Sequence, residues 1–348
     1  MAAGGIAQRL PRLWYERHLA AALWPLVPLS LVFALLVGLR RWLYRYGVLS
    51  SHRLPVPVII VGNLTVGGSG KTPLVLWLVR GLRERGWRPG IVSRGYAGSG
   101  EKVRPVVSTS ACSVVGDEPL LLARRSGVPV FVGRDRVAAG QALLAAHPEC
   151  NVIVSDDGLQ HYRLQRAIEL VVFDGRGGGN GWLLPAGPLR ESLRRLSGAS
   201  AVLWNDRPEA EVVRAAESLP QFDMRLVGQD FVAAGGVPRR CDADFLRGRK
   251  LHALAGIGDP QRFFRQLEAL GLEFEAHAFP DHYPYRAADL AFAADGVLLM
   301  TEKDAVKCAA LVTGEAWVLP VEAVISSAPG GAGLFEIILE KLHGHTPA

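Results

Sequence analysis

A glycine-rich turn between a predicted strand and a predicted helix constrains this chain more than any other stretch. The segment reads VIIVGNLTVGGSGKT from Val58 to Thr72, and Pro73 opens a run with helical patterning. A buried strand, a glycine loop, Lys-Thr and a helix are the parts of a phosphate-binding P-loop, because backbone N–H groups and a helix N-terminus attract phosphate oxygens. The sequence therefore predicts a nucleotide-binding loop, and a plain glycine turn is the alternative.

Each residue type in this loop has an expected task. Glycines let the backbone N–H groups turn inward without a Cβ in the way, and the lysine reaches the β- and γ-phosphates. The threonine that follows can offer its hydroxyl to Mg²⁺. The pattern G-x-x-x-x-G-K-[ST] would place glycine where this chain has Thr65, so the loop is a variant. The residues expected to bind the nucleotide are Thr65, Val66, Gly67, Gly68, Ser69, Gly70, Lys71 and Thr72.

Two adjacent carboxylates follow a second apolar run. The run from Val152 to Val154 leads into Ser155, Asp156 and Asp157. P-loop enzymes use a strand of this kind to bring carboxylates to the sheet edge, where Mg²⁺ bridges the β- and γ-phosphates. We therefore expect Asp156 and Asp157 to be magnesium ligands, with a pair of surface aspartates capping a strand as the alternative.

Asp117 and His282 are candidates for proton transfer. Asp117 stands before a predicted helix at Glu118-Pro119 and could simply cap it. His282, in Phe279-Pro280-Asp281-His282-Tyr283, could by itself be a surface loop histidine. Together the two could form a base pair in which Asp117 deprotonates a hydroxyl and His282 raises its effectiveness. Their spacing in the sequence does not test whether they meet.

Two further polar stretches are less specific. Leu189-Arg190-Glu191 offers a cation and a carboxylate, and charges at a helix start would look the same. The stretch from Thr301 to Asp304, TEKD, is similar to the guanine-reading signature [NT]-K-x-D, but here the lysine directly precedes the aspartate. That spacing argues against a GTPase.

The apolar segment from Leu19 to Leu39 contains no charged residue. Its length, about 20 residues, is what a helix needs to cross a bilayer. Trp24 and Trp42 lie near its ends, as interfacial aromatic residues do. Basic residues flank both sides, so the positive-inside rule does not predict which end faces the cytoplasm. We expect a membrane anchor that either spans the bilayer or embeds in one leaflet, with a buried helix of a soluble protein as the alternative.

Alternation of short apolar strands with helices predicts the fold class. We expect an α/β protein with a P-loop NTPase-type parallel sheet, a second smaller α/β domain and an N-terminal membrane-associated helix. The predicted division is a membrane-anchor segment at 1–50, a P-loop domain at 51–220, a linker with strand character at 221–247 and a C-terminal α/β domain at 248–348.

Composition narrows the function classes. A hydrophobic content of 49% excludes a disordered chain. The net charge of +6, from 39 basic and 33 acidic residues, suits an anionic surface or a phosphorylated substrate, and a general solubility charge would look the same. The four cysteines contain no C-x-x-C pair, so we expect reduced thiols of a cytoplasmic protein and no zinc site among them.

Seven motifs, taken in order, resemble one known family. They are VGNLTVGGSGKTP, SRGY (Ser93 to Tyr96), GDEP (Gly116 to Pro119), SDDGLQH (Ser155 to His161), LLPAGPLRE (Leu183 to Glu191), FPDHY (Phe279 to Tyr283) and TEKDAVK (Thr301 to Lys307). With the N-terminal apolar segment, they resemble tetraacyldisaccharide 4′-kinase, the lipid A 4′-kinase of Gram-negative bacteria. The resemblance covers essentially the whole chain, and Thr65 fits because the P-loop of that family is itself a variant.

The resemblance implies a specific activity and specific roles. It implies ATP- and Mg²⁺-dependent phosphorylation of the 4′-hydroxyl of a tetraacylated glucosamine disaccharide 1-phosphate. It places the enzyme at the inner membrane with its catalytic domains on the cytoplasmic face, with a lipid substrate and the membrane as partners and no nucleic acid. The implied catalytic residues are Asp117 as base, His282 as its dyad partner and Lys71, and the implied metal ligands are Thr72, Asp156, Asp157 and Glu191.

Two rival functions remain open from the residues alone. One is a P-loop NTPase whose hydrolysis drives a protein partner. The other is a membrane-bound nucleotide sensor without catalysis. Both rivals predict that no phosphate reaches a lipid acceptor.

Overall fold

The computed structural model describes residues 10–95, 102–208, 210–235, 239–326 and 332–343. Tyr96, the last residue of the SRGY motif, lies outside these described residues. Within them the chain forms one nine-stranded sheet and one six-stranded sheet, each covered by helices. This confirms the predicted α/β fold with two sheets.

The elements follow each other along the chain in the alternating order that the sequence predicts. The strands are β1 (Val58–Gly62), β2 (Pro89–Ser93), β3 (Arg104–Val106), β4 (Val130–Val132), β5 (Val152–Asp156), β6 (Ile168–Asp174), β7 (Ala201–Asn205), β8 (Gln221–Val227), β9 (Phe231–Ala233), β10 (Arg240–Cys241), β11 (Leu251–Ala255), β12 (Glu275–Ala278), β13 (Val297–Thr301), β14 (Ala316–Leu319) and β15 (Glu322–Ser326). The α-helices are α1 (Val27–Arg45), α2 (Lys71–Glu84), α3 (Cys112–Val115), α4 (Asp117–Ser126), α5 (Arg136–Ala146), α6 (Ala210–Ala215), α7 (Ala243–Leu246), α8 (Pro260–Ala269), α9 (Glu302–Cys308) and α10 (Leu334–His343). Short 3₁₀ helices span Ala21–Leu26, Leu193–Gly198, Ala287–Asp295 and Ala309–Leu311.

The nine-stranded sheet carries the P-loop. Its strand order is β15-β8-β7-β6-β1-β5-β2-β4-β3, and only the two edge strands β15 and β3 run antiparallel to their neighbours. Strand β1 lies in the middle and is buried throughout, as its unbroken β-branched run predicts. Because the strands from β8 to β4 are parallel, their carboxyl ends meet at one edge, where open α/β sheets bind ligands.

The six-stranded sheet has the order β10-β9-β14-β13-β11-β12. Strands β14, β13, β11 and β12 are parallel, and β9 and β10 add an antiparallel edge. The turn after β11 approaches the P-loop closely, since a Cβ on Gly258 would lie 2.8 Å from the amide nitrogen of Gly68. The second sheet therefore contributes to the nucleotide site.

The chain crosses between the two sheets more often than the predicted domain division implies. The first part of the predicted linker, Gln221–Val227, is a strand of the nine-stranded sheet. The chain also returns from the second sheet, because Glu322–Ser326 pairs with that strand and Leu334–His343 packs into the core of the first sheet through Ile338. The strict assignment of 248–348 to a second domain is therefore wrong at its C-terminal end, where these two elements complete the first sheet.

Helix α1 lies at the surface. Ala21–Arg45 is long and apolar enough to cross a membrane by length and composition, and 11% of its most apolar stretch is buried. The side chain of Leu35 is 71% exposed and that of Leu31 is 60% exposed. These exposures do not fit the alternative of a buried helix in a soluble protein, and they favour association with a membrane.

Candidate active site

The P-loop connects β1 to α2. Gly67 and Gly70 have φ angles of 111° and 93°, in the left-handed region where a side chain would be strained. Space is also restricted at Gly70, because a Cβ there would lie 2.5 Å from Nδ2 of Asn205. The amide of Asn205, at the end of β7, donates to the carbonyl of Ser69 at 3.0 Å. The side chain of Asn205 therefore fixes the loop directly before the N-terminus of α2, which is the end of a helix that attracts phosphate.

Thr65 occupies the position where the consensus has glycine, and the structure explains why glycine is not needed. Thr65 forms an antiparallel bridge with Leu189, and the next amide, Val66, donates to the carbonyl of Pro188 at 2.9 Å. Residue 65 is thus in an extended, strand-like conformation that any residue adopts. The variant loop is fixed by pairing with the LLPAGPLRE segment, which contains Pro188 and Leu189.

Lys71 lies at the first turn of α2, and its side chain is only 9% exposed. Its ammonium group donates to Oδ1 of Asn63 at 3.2 Å and lies 3.5 Å from Oδ1 of Asp157. A buried lysine costs stability unless a partner charge is near, and Asp157 provides that charge. Lys71 is therefore oriented toward the loop before any phosphate arrives.

Asp156 and Asp157 end β5 at the same sheet edge. Burial raises the pKa of the Asp156 carboxyl to about 7, and the nearby charges of Glu118 and Asp157 act in the same direction. Among the described residues its Oδ1 is buried with no hydrogen-bond partner. Burial alone would also raise the pKa of Asp157, but Lys71 and Arg190 lower it well below its usual range. The two carboxyls thus differ: Asp157 is a fixed anion, and Asp156 has an oxygen that accepts no hydrogen bond from the part of the chain that the structure describes.

Asp117 and His282 meet in the folded chain. Nδ1 of His282 lies 2.9 Å from Oδ2 and 3.1 Å from Oδ1 of Asp117. Helix α4 begins at Asp117, with Gly116 as its N-cap residue, so Asp117 is not the N-cap that the alternative reading proposed. Its Oδ1 does accept the Glu118 amide at 3.0 Å, so the side chain also serves the first turn of the helix.

Lys303 joins this pair to two further carboxylates. Its ammonium group lies 3.0 Å from Glu118, 3.1 Å from Asp281 and 3.8 Å from Asp117. Burial disfavours the charged lysine, but these three carboxylates raise its pKa above the usual range. Burial would raise the pKa of Asp117, yet the hydrogen bond from His282 and the charge of Lys303 lower it to about 2. The hydrogen bond to Asp117 in turn raises the pKa of His282 above its ordinary value.

A cavity of about 450 Å³ lies between the two sheets. Lys71 and Thr72 line it from the first sheet, and Lys303 and Arg262 line it from the second. Glu118 also lines it, so the residue that neighbours Asp117 faces the same space as the P-loop lysine. The cavity is large enough for a small-molecule ligand.

Glu191 does not join the Asp156–Asp157 cluster. Its Oε2 accepts from the Tyr162 hydroxyl at 2.7 Å and lies 3.4 Å from the Arg195 guanidinium. Burial raises the pKa of Glu191. Its neighbour Arg190 instead reaches the site, with Nη1 at 3.2 Å from both carboxylate oxygens of Asp157. These contacts do not support the magnesium role expected for Glu191 and indicate that it anchors the segment that presents Arg190.

Three site residues were missed from the sequence. Arg176 donates to Asp174 at 2.6 Å and places its guanidinium beside the carbonyls of Gly68 and Gly258, which ties the two sheets at the P-loop. Asn205 and Lys303 were likewise given no role. Lys303 has a sequence signal because it belongs to the TEKDAVK motif, but the comparison of this stretch with a guanine-reading signature assigns the lysine no role. Asn205 stands at the end of an apolar strand, which is the one signal that could have found it.

Phosphoryl transfer suits this arrangement best, because the buried Lys71 lines a cavity at the carboxyl edge of a parallel sheet. Asp157 contacts this lysine, and the Asp117–His282 pair lies next to Glu118 and Lys303, which line the same cavity. The fold and the site therefore define a P-loop phosphotransferase.

Comparison with known proteins identifies the family. The family model described as Tetraacyldisaccharide-1-P 4′-kinase matches residues 22–342. The tetraacyldisaccharide 4′-kinase of Dechloromonas aromatica is 57% identical, covering 99% of this chain and 100% of that protein. The enzyme of the same name from Azoarcus sp. is 56% identical, covering 100% and 99%. Among solved structures, LpxK from Aquifex aeolicus in complex with ATP is 30% identical with a TM-score of 0.76, covering 92% of this chain and 99% of that one.

The chain belongs to the tetraacyldisaccharide 4′-kinase family. It is an ATP-binding kinase that acts on an alcohol group, and the resemblance seen in the sequence is confirmed. The alternative of a P-loop NTPase that drives a protein partner is not favoured.

Proposed function

We propose that this chain transfers the γ-phosphate of ATP to the 4′-hydroxyl of a tetraacylated glucosamine disaccharide 1-phosphate, a step of lipid A biosynthesis. The observation that carries the proposal is the Asp117–His282 contact at 2.9 Å beside the cavity that Lys71 lines. Transfer to a sugar hydroxyl needs a proton acceptor next to the phosphate-binding loop. The relatives that match over the whole chain are named for this activity.

The Asp117–His282 pair acts as the general base. Asp117 alone is a weak proton acceptor, because its pKa of about 2 lies far below neutral pH. The pKa of His282 is raised, so its imidazole is a stronger base than a free histidine. The Asp117–His282 pair therefore takes up the proton as a unit and not at one oxygen of Asp117. The positive charge of Lys303 favours the ionised form of Asp117. It also offsets the repulsion between Asp117 and the neighbouring carboxylate of Glu118. The sequence-based assignment of Asp117 as base is thereby widened to the pair.

The residues at the end of β5 fit a magnesium ion. The buried Oδ1 of Asp156 has no protein partner among the described residues, and a cation would satisfy it. Asp156, Asp157 and the hydroxyl of Thr72 would hold Mg²⁺, oxygen donors being what this hard cation prefers. When bound, it neutralises charge on the β- and γ-phosphates. Lys71 and the loop N–H groups bind the same phosphates from the other side, and the site positions the hydroxyl for in-line attack.

Helix α1 embeds in one leaflet of the inner membrane, with the catalytic domains on the cytoplasmic face. The helix contacts the protein near both of its ends: the Ser30 hydroxyl donates to the carbonyl of Leu183 at 2.8 Å, and the ring of Tyr44 lies 5.8 Å from that of Tyr162. Contacts with the protein body near both ends of the helix favour embedding in one leaflet over spanning the bilayer. Its exposed face, which includes Leu31 and Leu35, would contact lipid.

Incubation with labelled ATP and acylated disaccharide 1-phosphate in detergent micelles tests this function. We expect label in the lipid at the 4′-position, appearing about 10²–10³ times more slowly with Lys71→Ala. Phosphate release without labelled lipid would instead identify an NTPase. Nucleotide binding with neither product would identify a sensor, and either result would overturn the proposal.

A further inference from the structure

A second cluster of ligand-type side chains lies in the six-stranded sheet. It consists of His252 on β11 and of Glu275 and His277 on β12. His252 is the register partner of Glu275, and His277 is two residues further along the same strand. Since side chains two apart in a strand share a face, all three project from the same face of the sheet. Phosphoryl transfer at the P-loop gives these residues no task.

The distances between their donor atoms match those around one tetrahedral ion. Nδ1 of His252 and Nε2 of His277 are 3.2 Å apart. Oε2 of Glu275 lies 3.6 Å from the first nitrogen and Oε1 lies 3.7 Å from the second, and one ligand atom from each of the three residues lies within 4.8 Å of the others. With Zn–N and Zn–O bonds of about 2.0–2.2 Å, tetrahedral ligands stand about 3.3–3.5 Å apart. The Glu275 side chain is 66% exposed, so it has room to rotate and bring one oxygen toward both nitrogens.

The second ring nitrogen of His252 has the kind of partner that metal-binding histidines usually have. Nε2 of His252 lies 3.1 Å from Oδ1 of Asp295. A carboxylate on the second ring nitrogen fixes the tautomer that leaves the first nitrogen with a free lone pair. Gly296 makes room for this ring, because a Cβ there would lie 2.9 Å from its Cδ2 atom.

The ring of His277 is also fixed in place. It stacks on Phe292 with a centroid distance of 3.6 Å and an interplanar angle of 15°. Both histidines therefore present nitrogens toward each other before an ion is bound.

We propose that His252, Glu275 and His277 bind a divalent transition-metal ion, with Zn²⁺ as the favoured species. Two imidazoles and one carboxylate suit zinc and neighbouring metals rather than Mg²⁺ or Ca²⁺, which take oxygen ligands. Water completes the tetrahedron, as in other three-ligand sites. The exposed Glu275 lets an ion enter without opening the core.

Such an ion would tie edge strand β12 to β11. Strand β12 ends at Ala278 and leads directly into Phe279-Pro280-Asp281-His282, the segment that carries the dyad histidine. The bound ion would therefore stabilise the start of the segment that carries His282. The site lies apart from the proposed magnesium site at the P-loop, and it does not depend on the proposed lipid substrate.

Metal content of the purified full chain, prepared without a histidine tag, tests the site. The protein is loaded with Zn²⁺ in the presence of Mg²⁺ and ADP, so that the P-loop carboxylates are occupied, then desalted and analysed for zinc. We expect one equivalent in the wild type and none in His277→Ala or Glu275→Gln. Asp295→Asn should weaken the affinity by about 10–100-fold, as loss of a carboxylate behind a ligand does. Loading with Co²⁺ should give tetrahedral visible absorption in the wild type only.

A matched control uses a histidine–carboxylate pair elsewhere. His147 lies 3.2 Å from Glu149 at the surface, so His147→Ala removes a similar pair and should leave zinc content unchanged. Zinc should raise the Tm of the wild type but not that of His277→Ala, and the metal-free Tm of Glu275→Gln should equal that of the wild type. Absence of zinc from the wild type, or equal zinc in His277→Ala, would show that the two histidines form only a hydrogen bond.

Discussion

Asp117→Asn separates chemistry from stability at the proposed base. Asparagine keeps the size of the side chain and an oxygen that can accept the hydrogen bond from the Glu118 amide. In the wild type the nitrogen of this amide lies 3.0 Å from Oδ1 of Asp117. It removes the negative charge that His282 contacts at 2.9 Å. Since loss of a general base typically costs about 10²–10⁴ in rate, kcat should fall by that factor while ATP binding is retained.

The cost in stability follows from the pKa of Asp117. Its pKa drops from an ordinary 3.8 to about 2 in the folded state. Each pKa unit corresponds to about 1.4 kcal/mol, so the ionised carboxylate contributes about 2 kcal/mol to the free energy of unfolding. A folded pKa below the unfolded one means that this contribution is complete above about pH 4 and is lost as the pH falls toward 2. At neutral pH, Asp117→Asn should therefore lower Tm by only a few degrees.

The assay follows label transfer to the acylated disaccharide 1-phosphate, with urea unfolding and ATP binding measured on the same samples. Asp281→Asn is the matched control, because Asp281 shares Lys303 at 3.1 Å but does not make the short contact with the imidazole ring of His282. The control should lose far less activity than Asp117→Asn. Full activity in Asp117→Asn, with normal folding, would refute the role of this residue and move the search for the base to Asp156 or Asp157.

Four further outcomes are expected. Lys71→Ala should lower kcat by about 10²–10³, the usual cost of losing one preorganised charged contact, and near-normal turnover would leave the loop purely structural. Lys303→Met should reduce the free energy of unfolding by about 1–3 kcal/mol in urea titration, because the buried Asp117 loses a cation and keeps His282 as its partner, and an unchanged midpoint would contradict this. The pair Leu31→Glu and Leu35→Glu should shift the protein to the soluble fraction and raise KM for the lipid more than for ATP; unchanged fractionation would argue against membrane contact. The stability difference between wild type and His282→Ala should be full below about pH 6.5 and shrink as the pH rises through the raised pKa of His282, as urea unfolding across pH would show.

The parts of the site that the sequence could predict are those with a local signature. The P-loop needs glycine at positions of positive φ, and its lysine, strand and helix follow one another directly. Asp156 is predictable because it ends a buried strand, and parallel strands bring such ends to one edge. The contact between Asp117 and His282 could be hypothesised from ordered motifs, but only the folded chain shows that they meet.

Other parts depend on contacts that no local pattern encodes. The magnesium role of Glu191 was implied only by the family resemblance, and its contacts with Tyr162 and Arg195 become visible only in the folded chain. The return of Glu322–Ser326 to the first sheet could not be predicted either, since an edge strand carries the same alternating pattern in either sheet.

The N-terminal segment and the P-loop are joined through one short stretch of backbone. The hydroxyl of Tyr15 donates to the carbonyl of Val66 at 2.8 Å, and the amide of Val66 donates to Pro188 at 2.9 Å. Ser30 binds the same 183–191 loop through the carbonyl of Leu183. A lipid kinase must bring ATP from water to a hydroxyl held at the bilayer surface, so its phosphate loop needs a fixed depth relative to the lipid. Because the apolar helix and the P-loop are anchored to the same loop, contact of that helix with lipid would set this depth directly.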